Sequence, residues 1–244
     1  MNRTDEVWKK AEVSRTFIEG VRGAIPLASD QIEIMIRIIQ QAKPQIENFL
    51  DIGCGDGILG RAILTKYPEA KGVFLDFSET MIQSAQNKDY PCLDRLIFLT
   101  QDFGKPEWIE AIKYQAPFDV IVSGFSIHHQ PDTRKKELYQ EIYQLLKPGG
   151  FFLNLEHVSS PTQWVENLFD DLFVDSLYTF HKSQGTNQTR EEIDKQYYSR
   201  GDKIANILAP VELQCNWLIE LGFINVDCFF KVFEIALFGG MRPE

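Results

Sequence analysis

The 244-residue sequence predicts an α/β fold in which a mostly parallel sheet lies between two layers of helices. Short apolar runs alternate with helical stretches five times between residues 45 and 158. The runs Val-Phe-Leu, Leu-Ile-Phe-Leu, Val-Ile-Val and Phe-Phe-Leu are nearly continuous in apolar residues, which is typical of strands buried on both faces. Two more strand-like runs follow each other closely after Gly222, without room for a crossover helix, and should pair antiparallel.

Residues 1–44 are predicted to form a helical cap on this core. A first helix is expected from about residue 5 to residue 21. A second helix should begin near Ser29 or Asp30, because both residue types are common N-caps, and should end before a proline. Apolar residues cover most of its circumference, which indicates that this second helix is buried.

The predicted core comprises strands and helices in strict alternation. Strands are expected at residues 47–53, 72–77, 95–102, 118–124 and 151–158. Helices are expected at residues 58–67, 78–86, 106–114 and 132–146. Ser78 is a candidate N-cap and Pro106 a favourable first residue for two of these helices.

The alternation stops after residue 158. Residues 159–209 carry helical periodicity and many aromatic side chains, so we expect a helical insertion there. The core resumes with a helix near residues 211–221, for which Gly222 is the expected C-cap. We therefore predict one domain over residues 1–244, with its core in residues 45–158 and 210–244.

The overall charge argues against binding of nucleic acid. The chain carries a formal net charge of −10, and an acidic protein repels a polyanion unless basic residues are clustered. The one short basic run, Arg134-Lys135-Lys136, is expected to be a solvated helix face.

Cysteine spacing and hydropathy indicate a cytoplasmic protein. The four cysteines are scattered, with neither the close spacing of a metal or redox motif nor a visible disulfide framework. The charged N-terminus lacks an apolar signal core, and no run approaches the roughly 18 apolar residues of a membrane span. We therefore expect no membrane association.

A glycine-rich turn marks the first candidate binding site. Ligands of open α/β sheets bind beyond the carboxyl ends of the strands, where Asp51-Ile-Gly-Cys-Gly-Asp-Gly57 is predicted to join a strand to a helix. Its glycines, Gly53, Gly55 and Gly57, permit positive φ and a close approach of the backbone to a ligand. The N–H groups of the following helix could bind an anion or a carboxylate. A tight turn without a ligand is the plainer alternative.

Two further acids end strands at the same edge. Asp76 lies 25 positions after Asp51 and could accept hydrogen bonds from both hydroxyl groups of a ribose. Asp102 could accept a hydrogen bond from the amino group of an adenine, with Phe103 packed against the adenine ring. The structural alternatives are that Asp76 caps a helix and that Asp102 lies in an exposed turn.

The glycine pattern is compatible with two kinds of cofactor. Gly55-x-Gly57-x-x-Gly60 matches the dinucleotide fingerprint and predicts a nicotinamide cofactor. S-adenosylmethionine (SAM) needs the same ribose acid and adenine pocket but has no phosphates. Asp51, before the first glycine, favours SAM, because a carboxylate there could organise the loop or accept a hydrogen bond from an ammonium group.

The combination of motifs resembles the class I SAM-dependent methyltransferases. Asp-Ile-Gly-Cys-Gly-Asp-Gly matches their D-x-G-x-G-x-G signature, and the segments VFLDFSETMI, TQDF, FDVIVSGFSIHH and LLKPGG are similar to their later motifs. The resemblance implies a Rossmann-like fold with seven strands, the last antiparallel, and S-adenosylhomocysteine (SAH) as the product. It implies cofactor contacts for Asp51, Gly53, Gly55, Gly57, Asp76, Phe77, Met81, Asp102, Phe103 and Ser123.

Three histidines are candidate general bases for methyl transfer. His128 and His129 follow the fourth strand directly, and His157 ends the fifth strand. Histidine titrates near neutral pH and could take a proton from a hydroxyl or ammonium acceptor. Between the neighbouring pair we prefer His129, although packing against the cofactor is an alternative role. Their spacing does not indicate a metal site.

The insertion is expected to close over the acceptor. In the family that the chain resembles, an insertion after the fifth strand lies over the cleft, so Trp164, Phe173 and Tyr178 are candidate acceptor contacts. The segments FIEGVRGAIPLASDQIEIMI and SRGDKIANILAPVELQ are similar to the carboxy-SAM synthase branch. That similarity implies that Arg200 holds a carboxylated cofactor.

The main prediction is a SAM-dependent methyltransferase that acts on a small-molecule acceptor. The alternatives are a tRNA-modification enzyme similar to carboxy-SAM synthase, an NAD-dependent oxidoreductase, and a non-catalytic SAM-binding protein. The atom that receives the methyl group is open at this point, and a homodimer is compatible with the sequence.

Overall fold

The computed structural model of the protein describes residues 4–200, 203 and 205–244. In these residues the chain forms a seven-stranded sheet. Its strands are β1 (Asn48–Ile52), β2 (Lys71–Asp76), β3 (Leu96–Thr100), β4 (Phe118–Gly124), β5 (Leu146–His157), β6 (Ile224–Val232) and β7 (Ile235–Met241). The order across the sheet is β3-β2-β1-β4-β5-β7-β6.

The directions of the strands confirm the predicted Rossmann-like topology. Strands β1 to β5 pair in parallel, whereas β7 is antiparallel to both β5 and β6. The chain reverses its direction of travel across the sheet between β1 and β4, which are neighbours. Ligand sites of open sheets lie at such a switch point.

Helices cover both faces of the sheet. They are α1 (Ala11–Thr16), α2 (Ala28–Ala42), α3 (Ile58–Lys66), α4 (Glu79–Gln86), α5 (Trp108–Ile112), α6 (Asp132–Leu145), α7 (Gln163–Ser183), α8 (Arg190–Ser199) and α9 (Val211–Glu220). Neighbouring strand residues belong to different cores: Phe49 packs with α2 and α3, whereas Leu50 packs with α5, α6 and α9. This alternation follows from the period of two along a strand and produces three layers. Among the described residues, none of the helices has the length and apolar character of a membrane span.

The N-terminal segment differs from the predicted continuous helix. It begins with a 3-10 helix at Thr4–Lys9, continues through α1, and then widens to a π-helical turn at Phe17–Val21. Two buried hydrogen bonds fasten this segment to the core, from Gln130 Nε2 to Asp5 Oδ2 (3.0 Å) and between the hydroxyls of Ser14 and Ser78 (3.2 Å).

The start of α2 also differs from the prediction. The residue before its first turn is Leu27, in the left-handed region with φ of 57°, and neither Ser29 nor Asp30 is the N-cap. The buried side chain of Gln31 donates to the carbonyl oxygen of Pro26 at 2.6 Å and ties the first turn to the preceding loop. A bond from a side chain within the first turn to the preceding loop therefore replaces the expected N-cap.

Helices α7 and α8 form the segment that follows β5. Thr162 caps α7 through a bond from the Val165 N–H, and Thr189 forms a capping box with Glu192 at the start of α8. The inward face of α7 buries Phe169 and Phe173 against the core. The expectation of helices in this region agrees with the structure.

The basic run on α6 is not a solvated face. Arg134 and Lys135 are buried, with 7% and 0% of their surface exposed, and Lys136 alone of the three is exposed. Lys135 donates to a carboxylate oxygen of Asp132 and to the carbonyl oxygen of Ile207. The run was misassigned because both buried cations have oxygen partners, among them the carbonyl oxygens of Phe103 for Arg134 and of Ile207 for Lys135, which are distant in the sequence.

Candidate active site

A cavity with an empty volume of about 990 Å³, including its open mouth, lies at the carboxyl ends of β1, β2, β4 and β5. Its lining includes Gly53 after β1, Asp76 at the end of β2, Gly124 at the end of β4 and His157 at the end of β5. The cavity therefore occupies the position that the topology predicts for a ligand.

The glycine loop forms one wall of the cavity. Gly53 and Gly55 line it and have positive φ values of 63° and 56°. A Cβ atom on Gly53 would lie 2.2 Å from Oγ of Ser126, so this position has space for a hydrogen atom only. Gly57 has φ of 79° but lies outside the cavity, where it precedes the first turn of α3. Its positive φ at the start of α3 accounts for a glycine here, and its predicted contact with the cofactor stays a prediction.

Asp51 and Ser123 lie behind the cavity wall. Asp51 is 1% exposed, and its Oδ2 accepts a hydrogen bond from the N–H of Gly60 at 2.9 Å, which joins β1 to α3. The hydroxyl of Ser123 is fully buried and donates to the carbonyl oxygen of Ile52 at 2.9 Å. Ser126, 3.0 Å away from Ser123 between the two Oγ atoms, lines the cavity instead.

Asp76 is suited to hold the ribose of SAM. Its Oδ2 accepts from the N–H of Gly55 at 3.0 Å and its Oδ1 from the N–H of Ser78 at 2.8 Å. A carboxylate can accept about four hydrogen bonds, so capacity remains for hydroxyl groups in the cavity. Burial raises the pKa of Asp76 to about 6, against the lowering effect of these backbone donors. Phe77 and Met81 line the cavity beside it.

A smaller cavity of about 290 Å³ continues toward β3. Asp102 and Phe103 line it, and it shares Gly53, Asp76 and Phe77 with the main cavity. The two spaces are therefore adjacent around the predicted ribose acid, as an adenosine group would require. The residues present fit SAM, with a carboxylate and a small apolar pocket at the positions that its ribose and base need.

His128 is held by a buried carboxylate. Its Nδ1 lies 2.5 Å from Oε1 of Glu156, which is fully buried. Glu156 also accepts the backbone N–H of His128 and of His157, each at 3.0 Å. Burial lowers the pKa of His128 well below its usual value and raises the pKa of Glu156 to about 7.

The other two histidines have different partners. Nδ1 of His129 lies 3.1 Å from the carbonyl oxygen of Ala205, and burial lowers the pKa of His129 to about 3. Nε2 of His157 lies 2.8 Å from Oε2 of Glu234. All three histidines line the main cavity, but no arrangement of His, Cys, Asp or Glu in the described residues is suited to a metal ion.

Two of the four predicted acceptor contacts lie in the cavity. Phe173 and Arg200 line it, and the Arg200 guanidinium carbon lies 4.8 Å from the ring centre of Tyr197. Trp164 is 70% exposed at the start of α7, outside the cavity. Tyr178 lies outside it as well, near the far end of the same helix. The cavity meets only the middle of α7, whereas Trp164 and Tyr178 lie toward the two ends of this helix.

Several cavity residues were not identified from the sequence. Trp8 and Phe17 of the N-terminal segment form part of the wall, together with Tyr197 and Asn206. Trp8 and Phe17 lie nine positions apart in a segment that the sequence predicts to be a helical cap. Their pattern indicates that both side chains are buried, but it does not indicate that they line a cavity.

Comparison with known proteins agrees with the fold and with the resemblance found in the sequence. Residues 50–152 match a family described as a methyltransferase domain. Malonyl-[acyl-carrier protein] O-methyltransferase 2 of Ilyobacter polytropus is 31% identical over 146 residues, which cover 59% of this chain and 53% of that protein. The chain thus spans about half the length of this relative. Carboxy-S-adenosyl-L-methionine synthase of Nitratiruptor sp. is 24% identical over 236 residues, which cover 96% of this chain and 92% of that protein.

A solved structure has the same fold. Human N-acetylserotonin methyltransferase in complex with SAM superposes with a TM-score of 0.62 at 14% identity, over 100% of this chain and 59% of the human one. The methyltransferase prediction from the glycine loop and the later motifs is confirmed at this level. The chain therefore contains a methyltransferase domain over residues 50–152 and has the fold of SAM-dependent methyltransferases.

Proposed function

We propose that the protein transfers a methyl group from SAM to a small molecule held in the main cavity. The observation that carries this proposal is one continuous space that joins the glycine loop and Asp76 to the histidines. When bound, SAM supplies a methyl group on a positively charged sulfur. Such a transfer depends mainly on holding the two reactants in line.

The cofactor contacts follow from the positions of the side chains. Asp76 accepts the ribose hydroxyls, and the backbone of Gly53 and Gly55 borders the amino-acid end. Asp102 and Phe103 border the adenine in the smaller cavity. Asp51 and Ser123 act indirectly, because both support the loop from behind.

A small acceptor fits better than a macromolecule. The outer wall of the cavity is made by Trp8 and Phe17 on one side and by Phe169 and Phe173 on the other. This enclosure leaves room for a compact molecule with an apolar or aromatic body. The net charge of −10 also disfavours direct binding of nucleic acid. The scattered, unpaired cysteines favour a reducing cytoplasm as its location.

A second candidate function is synthesis of a carboxylated SAM. Arg200 lines the cavity and could pair with a carboxylate on the cofactor, as the resemblance implies. The near full-length similarity to carboxy-S-adenosyl-L-methionine synthase supports the same candidate. In this alternative Arg200, rather than a general base, would be the decisive residue.

Native mass spectrometry of the purified protein tests both candidates. Retained SAM or SAH supports methyl transfer, whereas a mass corresponding to a carboxylated SAM supports the second candidate. Calorimetric titration with SAH provides the quantitative measurement. Asp76→Ala should weaken SAH binding at least tenfold, and Asp89→Asn, at an exposed position, should not change it. Absence of SAH binding by the wild-type protein would contradict the proposed function.

A further inference from the structure

We infer that Gln130 selects the adenine base of the cofactor, and that Asp5 of the N-terminal segment holds the Gln130 amide in the orientation that this selection needs. Gln130 is the specificity-determining residue, and Asp5 is a positioning residue. This role rests on the proposed binding of SAM, and both residues lie outside the motifs that predicted the cofactor contacts.

Both side chains line the smaller cavity, beside the residues predicted to border the adenine. The same cavity is lined by Asp76, Asp102 and Phe103. Gln130 and Asp5 are each 3% exposed, although 125 positions separate them in the chain. Two polar side chains are therefore buried where the protein has a pocket rather than a packed apolar core.

The backbone on both sides fixes the position of Gln130. Its N–H donates to the carbonyl oxygen of Ile127 at 3.0 Å, in the 3-10 turn Ile127–His129 that follows β4. Pro131 comes next and precedes α6, and a residue before a proline is restricted to an extended backbone. Gln130 has φ of −91° and ψ of 148°, in agreement with this restriction. Its side chain therefore extends from a fixed point of the backbone.

Asp5 determines the orientation of the Gln130 amide. Nε2 of Gln130 donates to Oδ2 of Asp5 at 3.0 Å in a buried hydrogen bond. A carboxylate accepts hydrogen bonds and does not donate them, so a flipped amide would place its oxygen against another acceptor. Oε1 is thus held on the side of the amide away from Asp5.

The amide oxygen of Gln130 needs a donor. In the part of the chain that the structure describes, Oε1 has no hydrogen-bond partner. A carbonyl oxygen in a nearly buried side chain is unfavourable without one. Because the side chain lines the smaller cavity, a ligand bound there can supply the missing donor.

The 6-amino group of adenine is the donor that suits this acceptor. Adenine carries an amino group at position 6, whereas guanine and hypoxanthine carry an oxygen acceptor there. The amino group has two hydrogens, one for the predicted contact with Asp102 and one for Oε1 of Gln130. An oxygen at position 6 would instead face two acceptors. The pocket should therefore accept adenine and reject a 6-oxo purine.

Without Asp5, the Gln130 amide would discriminate poorly between these bases. The last torsion of a glutamine side chain is soft, and its rotation exchanges the amide oxygen and nitrogen. An unrestrained amide could donate to a 6-oxo group as well as accept from a 6-amino group. The Asp5 carboxylate removes this choice, so selection of the base after β4 depends on the N-terminal segment.

Recognition of the base also couples cofactor binding to docking of the N-terminal segment. If docked Asp5 strengthens the binding of adenine, bound adenine must strengthen the docking of Asp5 by the same factor. Trp8 lies on the same 3-10 helix, Thr4–Lys9, and lines the main cavity. Adenine should therefore fasten the wall that encloses the rest of the cofactor.

The first test is calorimetry with SAH and S-inosylhomocysteine, whose base carries an oxygen at position 6. We expect the wild-type protein to prefer SAH about 100-fold. In Gln130→Met the preference should fall about tenfold through weaker SAH binding. In Asp5→Asn it should fall about tenfold through tighter binding of S-inosylhomocysteine, because the amide can then turn. A merely structural role of Asp5 would weaken both ligands by the same factor and leave the preference unchanged.

The double variant Asp5→Asn/Gln130→Glu reverses the pair. The new amide at position 5 donates, and the new carboxylate at position 130 presents an acceptor to the base in either orientation. The preference for SAH should return to within about threefold of the wild-type value. The matched control is Glu6→Gln, which changes an exposed carboxylate 3.1 Å from Lys9 on the same helix and should leave both affinities unchanged.

Two calorimetric outcomes would overturn the inference. A wild-type preference in Gln130→Met would show that Gln130 does not select the base. A double variant with no more preference than Asp5→Asn would show that Asp5 does not orient the amide. Failure of the wild-type protein to bind SAH would instead contradict the proposed function.

The second test measures hydrogen exchange at the backbone of Thr4–Lys9 with each ligand at saturation. In the wild-type protein, SAH should slow exchange of this helix more than S-inosylhomocysteine does. In Gln130→Met the two ligands should protect it equally. Equal protection already in the wild-type protein would contradict the coupling between the base and the N-terminal segment.

Discussion

At the scale of single residues, the Asp76 carboxylate should make cofactor binding depend on pH. Burial raises the pKa of Asp76 to about 6, and the ionised form is the one that accepts hydrogen bonds from ribose hydroxyls. We expect SAH affinity to be constant above pH 7 and to fall about tenfold by pH 5, one unit below that pKa. Isothermal titration from pH 5 to pH 8 measures this directly.

The control for Asp76 is the amide variant, Asp76→Asn, which cannot titrate. Its SAH affinity should be low and independent of pH, and a persistent tenfold fall would assign the effect to another group. The free protein should respond in the opposite direction. Because the folded pKa lies above the ordinary value of 3.8, the Asp76 contribution to stability is present below pH 3.8 and is lost as the pH rises through 6.

Gly53 provides a second prediction, with Gly185 as its matched control. Both have positive φ, 63° and 78°, so an alanine at either site costs about 1 to 2 kcal/mol of backbone strain. A Cβ on Gly53 would also meet Ser126 at 2.2 Å, whereas nothing lies within 4 Å of one on Gly185. Gly53→Ala should weaken SAH binding at least tenfold, and Gly185→Ala should lower only the melting temperature. Equal SAH affinity in both variants would contradict the role of Gly53.

The residue patterns predicted the position of the site more accurately than they predicted which side chains line it. Spacing identified the glycine loop and Asp76, because a strand end followed by a helix start has a local signature. It could not separate Gly53, in the cavity wall, from Gly57, which only begins α3. Ser123 and Ser126 are equally polar in the sequence, and the turn after β4 alone decides which one lines the cavity.

At the scale of elements, α6 clamps the loop that carries the predicted adenine contacts. Nε and Nη2 of Arg134 donate to the carbonyl oxygen of Phe103 at 3.1 and 2.7 Å. Glu141 accepts from Arg134 and from Nε1 of the buried Trp108, each at 2.7 Å. This network fixes the turn next to Asp102, although neither Arg134 nor Glu141 lines the smaller cavity.

Removal of the clamp should weaken selection of adenine. Arg134→Met leaves the partly buried Glu141 without its cation, so the double variant Arg134→Met/Glu141→Leu separates loss of positioning from loss of folding. We expect both to bind SAH about tenfold more weakly and to discriminate less against S-inosylhomocysteine. Calorimetry with the two ligands measures the ratio.

The control for the clamp is Glu137→Gln, which removes an exposed partner 3.4 Å from Nη1 of Arg134. It should leave both affinities unchanged, because exposed ion pairs contribute little. A wild-type preference for SAH that survives in the double variant would show that α6 does not position the adenine loop.

The predicted elements differ in whether nearby or distant residues determine their structure. Strands β1, β2, β4 and β5 were recognised because burial on both faces leaves continuous apolar runs, and the edge strand β3 was recognised by its apolar run Leu-Ile-Phe-Leu. The form of the N-terminal helix was not recognised. Its break at Lys10 and its π-helical turn accompany contacts with α4 and with Gln130, which are distant in the sequence. Arg134 and Lys135 were misassigned for the same reason, since their partners lie far away in the chain.

At the scale of the whole molecule, the cavity is assembled from three parts of the chain. The core supplies Asp76 and the histidines, the N-terminal segment supplies Trp8, and the α7–α8 segment supplies Phe173. From the sequence we expected the insertion over residues 159–209 to close over the acceptor. Its aromatic content attracted attention to that segment, but the N-terminal segment, at the opposite end of the chain, also lines the cavity.

The N-terminal segment and α7 each contain one tryptophan, so the contributions of these two segments to cofactor retention can be compared. Trp8 lines the cavity and packs against Phe17 and His129, with ring centres 5.4 and 5.6 Å away, whereas Trp164 is 70% exposed outside it. Trp8→Ala removes part of the cavity wall and should speed SAH dissociation at least tenfold in stopped-flow measurements. Trp164→Ala should leave the dissociation rate and the melting temperature unchanged. Acceleration in Trp164→Ala alone would show that α7 rather than the N-terminal segment retains the cofactor, and comparable acceleration in both variants would show that the N-terminal segment has no special role.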